Sequence, residues 1–150
     1  MLFSQTLFLI IFGLSSLMVA LWSLRQTIKG NTNQEVPWLF PWGAFVWADG
    51  VILGLFWVLV SILILFVKDW ILFWLICSVF WLVRSLGEII YWLNEQFAET
   101  HLNPPQKYWF FKYFPTDAVW FVFQLVWQCG LVFTLISTVW LFSIWLSQAV

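Results

Sequence analysis

The chain has 150 residues, of which 63% are hydrophobic and 9% charged, and its formal net charge is -1. A soluble domain carries about 25% charged residues, and a water-soluble fold of this length could not hide so much apolar surface. Lipid is the solvent that the composition fits, and the lack of a basic surface or a recognition motif excludes a nucleic-acid partner.

The first apolar segment covers about 2–24 and holds no charge. It has no basic leader, and its apolar run outlasts the usual about 7–15 residues of a signal-peptide core, so it reads as a retained membrane helix. Gly13, Ser16, Ala20 and Ser23 form a small-residue stripe along it. Such a stripe lets a neighbouring helix approach closely.

The loop 25–43 follows. It ends in Pro37-Trp38-Leu39-Phe40-Pro41-Trp42, a composition suited to the headgroup level of a bilayer. The second segment, about 44–67, carries one charge, Asp49, and the pair Gly50 and Gly54 in G-x-x-x-G spacing. That spacing is a helix-packing device. Lys68 and Asp69 read as a tight hairpin. The third segment, about 70–93, contains Arg84 and Glu88.

The loop 94–117 begins as a polar extension of the third helix, which Pro104 and Pro105 stop. Aromatic residues from Tyr108 to Phe114 then read as a re-entry along the interface. Thr116 or Asp117 is the expected N-cap of the fourth helix, about 118–146. Each apolar segment reaches the about 20 residues that a span needs. The fold class expected is therefore all-α: a single four-transmembrane-helix bundle over 1–150, with short loops.

Fourteen tryptophans mark the chain. Trp22, Trp38, Trp42, Trp47, Trp92, Trp109 and Trp120 fall toward one membrane face, and Trp70, Trp74, Trp140 and Trp145 toward the other, as an aromatic belt does. Trp57, Trp81 and Trp127 fall deeper. Arg25, Lys29, Lys107 and Lys112 share one side, against Lys68 on the other. The positive-inside rule then puts both loops in the cytoplasm and both termini outside a plasma or inner membrane.

The polar residues inside the spans are the functional candidates. Asp49 and Glu88 lie equally far from the Lys68-Asp69 turn, about 28 Å at about 1.5 Å per residue. Arg84 lies one turn deeper than Glu88 on the same face. Counted from the same side, Gln124 falls level with Glu88, and Gln128 with Arg84. A charge near a span centre costs about 2.5–3.5 kcal/mol, so these groups are expected to partner one another. Arg84 can balance one of two carboxylates, which leaves the other carboxyl a candidate to hold a proton.

Trp81 continues the Arg84 and Glu88 stripe inward, and Tyr91, Glu95 and Glu99 continue it outward, as the lining of a route to water would. The leading expectation is a small membrane subunit whose intramembrane polar cluster organises the bundle, as a homo-oligomer or with a membrane partner. The alternative is an ion or proton channel, or a small transporter, using Asp49, Arg84 and Glu88. A lipid-modifying enzyme is the third.

No cofactor, metal or catalytic set is apparent. His101 is the one histidine and reads as solvent-exposed. Cys77 and Cys129 read as packing residues.

Overall fold

A computed structural model describes residues 1–113, 116 and 118–149 of the chain. Phe114, Pro115, Asp117 and Val150 lie outside the described residues, as do the side chains of Trp109, Phe110 and Ala149. The element order is α1 (Phe3–Ile28), α2 (Trp47–Val67), α3 (Trp70–Phe97) and α4 (Ala118–Ala149), with short 3-10 turns at Pro37–Trp42, Pro105–Lys107 and Trp109–Lys112. Among the described residues, all four α-helices are long and apolar enough to cross a membrane. The chain falls into two compact units, Met1–Trp74 and Leu75–Val150.

In the first unit, α1 starts where Gln5 Oε1 accepts the Leu2 N–H at 2.7 Å. It runs through Arg25 to Ile28, and Gly30, at φ +88°, turns the chain away. That φ is open to glycine without strain. Arg25 therefore sits in the last helical turn rather than opening the loop, where its charge suits the negative end of the helix dipole.

α1 packs along α2 through the small residues of both. A Cβ added to Gly54 would lie 2.9 Å from Ala20 Cβ, from the Ala20 nitrogen and from the Ser16 carbonyl oxygen. One added to Gly50 would lie 2.2 Å from Ser23 Oγ and 3.1 Å from Leu39. Gly13 faces Ser61 across the same seam, with a Cβ there 3.1 Å from Ser61 Cβ. The two glycine-bearing stripes thus meet each other, each glycine of one helix facing a small residue of the other.

The segment between α1 and α2 does not stay at the helix ends. Val36, Leu39 and Ala44 are buried and form a core with Val19 and Trp47. Trp42 donates its indole N–H to Ser16 Oγ at 2.9 Å, halfway along α1. Trp57 donates in turn to the Trp42 carbonyl at 3.1 Å. Trp47 reaches Gln34 Oε1 at 3.3 Å, and Val36 N–H bonds the Phe45 carbonyl at 2.7 Å beside the lone bridge Glu35–Val46. Trp42 and Trp47, with the deeper Trp57, thus tether the segment back along the α1–α2 seam.

The α2–α3 turn has a local cause. Lys68 adopts a left-handed conformation, φ 58°, and its N–H closes on the Ile64 carbonyl at 2.8 Å. Asp69 Oδ1 then accepts the N–H groups of Ile71 and Leu72, each at 3.0 Å, and so caps α3. Trp70 and Phe73 of the first α3 turn pack edge-on against Phe8 of α1. Asp69→Ala is expected to cost about 1 kcal/mol, read as a lower unfolding midpoint in detergent. Asp69→Asn keeps the acceptor and should retain most of that stability.

In the second unit, α3 and α4 run antiparallel and join by hydroxyls and aromatic rings. Ser78 Oγ bonds the Thr134 carbonyl at 3.1 Å and Thr138 Oγ1 at 2.9 Å. Ser85 is buried opposite Gly130. Trp92 stacks on Phe123 with ring centroids 4.2 Å apart. Thr116 Oγ1 accepts the Ala118 N–H at 3.3 Å where α4 begins.

Candidate functional site

The polar residues of the second unit form two groups along α3. The inner group is the ion pair Arg84–Glu88, with Nη2 3.0 Å from Oε1. The residues are four apart, one helical turn, so the pair closes within the helix itself. Both side chains are largely withdrawn from the surface, 25% and 13% exposed.

The outer group gathers at the end of α3 and is organised by the loop that follows. Asn103 is its hub. Its backbone N–H donates to Glu95 Oε1 at 2.5 Å, and its amide nitrogen to the Tyr91 hydroxyl at 2.5 Å. Its carbonyl accepts the Trp120 indole N–H at 3.0 Å, and its side-chain oxygen accepts Lys107 Nζ at 2.9 Å. His101 Nδ1 bonds the Glu95 carbonyl at 2.9 Å while its ring lies 4.3 Å from that of Trp120. Asn103 stands immediately before Pro104, and the pair of prolines stiffens the turn that presents it.

Glu95 is buried, 4% exposed. Its carboxylate holds a loop N–H, which is a structural use of the charge. Glu99 is exposed and lies beyond the end of α3 at Phe97, so the face that carries Arg84, Glu88, Tyr91 and Glu95 does not extend to it. Trp81 is half-buried on α3.

Gln124 is buried and donates to Gln96 Oε1 at 2.8 Å and to the Trp92 carbonyl at 3.3 Å. The sequence count sets it level with Glu88. The structure shifts α4 by about one turn, which brings Gln124 to the Trp92–Gln96 stretch and leaves Gln128 near the level of Glu88. Gln128 is exposed. The shift arises because α3 continues to Phe97, so Asn94 does not mark the helix end from which depth was counted.

Asp49 belongs to the first unit. α2 begins at Trp47, later than the expected 44, which makes Asp49 a first-turn residue. Its Oδ2 accepts the Phe45 N–H at 3.4 Å. An acid in a first turn that reaches back to a preceding N–H satisfies an orphan donor and suits the positive end of the helix dipole. Gly13, Ser16, Gly50 and Gly54 lie in the α1–α2 seam of that same unit.

Asn103 and Trp42 carry much of this geometry, and the sequence did not single them out as partners. A lone asparagine before a proline pair reads as an ordinary turn residue. A tryptophan in a proline-rich loop reads as an interface anchor. Among the described residues no group of His, Cys, Asp and Glu side chains could hold a metal ion. Cys77 and Cys129 are free thiols. The chain matches no family model, no curated protein and no solved structure.

Proposed function

We propose that this chain is an integral membrane protein whose four α-helices span a bilayer as a bundle, with both termini outside, and that it serves as a structural subunit of a membrane assembly. The observation that carries this reading is how the polar side chains are used. Gln124 bonds α3 from α4, Ser78 bonds α4 from α3, and Glu95 bonds the loop that closes the same end. These groups are consumed in holding helices together, which is the role expected of polar residues between membrane helices.

Gln124→Leu keeps the volume and removes both donated bonds, and is expected to destabilise the folded state by about 1–2 kcal/mol. Unfolding in SDS titration, followed by tryptophan fluorescence, measures the loss. An unchanged midpoint would remove the main support for the reading.

A second reading rests on one observation. Lys107, Asn103 and Tyr91 form a hydrogen-bonded string from the loop to α3, the helix that carries the Arg84–Glu88 pair further in. Such a string is the kind of arrangement that conducts protons or admits a cation. Proteoliposomes separate the two. Proton or potassium flux that disappears in Glu88→Gln with folding intact would replace the structural role by transport. Sealed vesicles at all protein densities favour the structural subunit.

A further inference from the structure

We propose that two copies of this chain pair through α4, with the Gln128 amides of the two copies bonded to each other; the inference rests on the reading of α4 as a membrane span. Gln128 is exposed, and among the described residues its amide meets no hydrogen-bonding partner. It lies nearly three turns into α4, about 15 Å from the helix start. Where α4 enters the bilayer at its start, the side chain is too short to reach water from that depth. An amide left unsatisfied in hydrocarbon is costly, so this position calls for a polar group that α3 and α4 do not supply.

The surroundings fit a helix as the occupant. Phe121, Leu125, Val132, Leu135 and Val139 flank Gln128 on one stripe at alternating spacings of three and four, and they are between 43% and 62% exposed. That is the seam of a left-handed helix pair, in which a single polar residue fixes register and partner number.

Symmetry selects a second copy over a different protein. Copies inserted in the same direction are related by an axis along the membrane normal, so each residue lies level with itself. An amide carries both a donor and an acceptor and therefore complements its own copy. A lysine or aspartate at this depth would repel its copy. A different partner would need its own polar group at the matching depth, whereas a second copy supplies one automatically.

The test uses the full chain in proteoliposomes, in a Cys77→Ser, Cys129→Ser background. Single cysteines at Leu125→Cys and Val132→Cys report on the stripe. Phe133→Cys and Ile136→Cys report on the adjoining exposed face. Oxidation is expected to give covalent dimers several-fold faster at the first two positions. Energy transfer between labelled copies, followed on dilution with lipid, is expected to show Gln128→Leu pairing about tenfold more weakly, with Gln128→Asn close to the native residue.

Equal cross-linking on both faces, no energy transfer at any dilution, or a Gln128→Leu pair of native strength would each overturn the proposal. Mapping of the loops and termini by a membrane-impermeant thiol reagent separates this failure from a deeper one. A monomer with four correctly inserted helices overturns the pairing alone. A chain whose α4 does not span overturns the pairing and the membrane reading together.

Discussion

Gly54→Leu is expected to separate α1 from α2 and to lower stability by more than about 3 kcal/mol, the largest effect of any single substitution in the first unit. The reason is what a side chain at Gly54 would meet. Two of the three nearest atoms are backbone, the Ala20 nitrogen and the Ser16 carbonyl oxygen, each 2.9 Å from an added Cβ. Backbone cannot rotate aside, so the helices must part. Gly54→Ala already requires this movement and is expected to cost about 1–3 kcal/mol.

Gly50→Ala makes an informative contrast. Its nearest obstacle is a side-chain hydroxyl, Ser23 Oγ. Gly50→Ala combined with Ser23→Gly should therefore recover most of the loss. Gly54→Ala combined with Ala20→Gly should recover only part, because the two backbone atoms remain. Gly87 is the control. A Cβ there meets nothing within 4 Å, so Gly87→Ala should stabilise α3 by up to about 1 kcal/mol through helix propensity alone. SDS unfolding midpoints for the set give the ranking, and a Gly54→Ala protein as stable as Gly87→Ala would refute the close-packed seam.

The second large effect is expected at the ion pair. Arg84→Met leaves Glu88 withdrawn from water without its cation, and Glu88→Leu leaves Arg84 without its carboxylate. Each is expected to cost about 2–3 kcal/mol, below the full penalty for a buried pair because both side chains retain some exposure. Replacing both residues together should be milder than either alone, since no unmatched charge is left behind. A double-mutant cycle on unfolding midpoints measures this coupling. Additive single effects would mean that the two charges do not depend on each other.

Much of the helical layout was legible from apolar length. The four helices begin or end within a few residues of the apolar runs, and the Lys68-Asp69 hairpin falls where the two charges interrupt them. What composition did not reveal is where a helix ends inside polar sequence. α1 continues through Arg25 to Ile28, and the polar extension expected for the third helix carries α3 through Asn94, Glu95 and Gln96 to Phe97, an end point that polarity did not mark. A backbone that has already begun a helix goes on until a breaker stops it, and polarity alone is no breaker. The four residues from Asn94 to Phe97 account for the altered register of Gln124 against α3.

The same difficulty affects the charged candidates. Glu95 looked like a residue on the way to water because of its charge and spacing. It is buried because the loop supplies Asn103 as a donor, and loop geometry over that distance has no periodic signal in sequence. Arg84 and Glu88 were readable as a pair because their spacing of one turn is local. Asp49 was readable as an acid inside an apolar run. Its place in the first turn of α2 depends on the bridge and turns before it.

The folded-back tryptophan segment bears on how the protein is made. Trp42 docks on a hydroxyl of the helix before it, and its carbonyl receives an indole from the helix after it. The first of these bonds needs only residues already synthesised when Trp42 emerges, whereas the second cannot form until Trp57 has been delivered. Docking of the segment therefore proceeds in two steps, first onto α1 and then under the Trp57 indole of α2. The Trp57 bond to the Trp42 carbonyl thus locks the first hairpin last, after the segment already rests on α1.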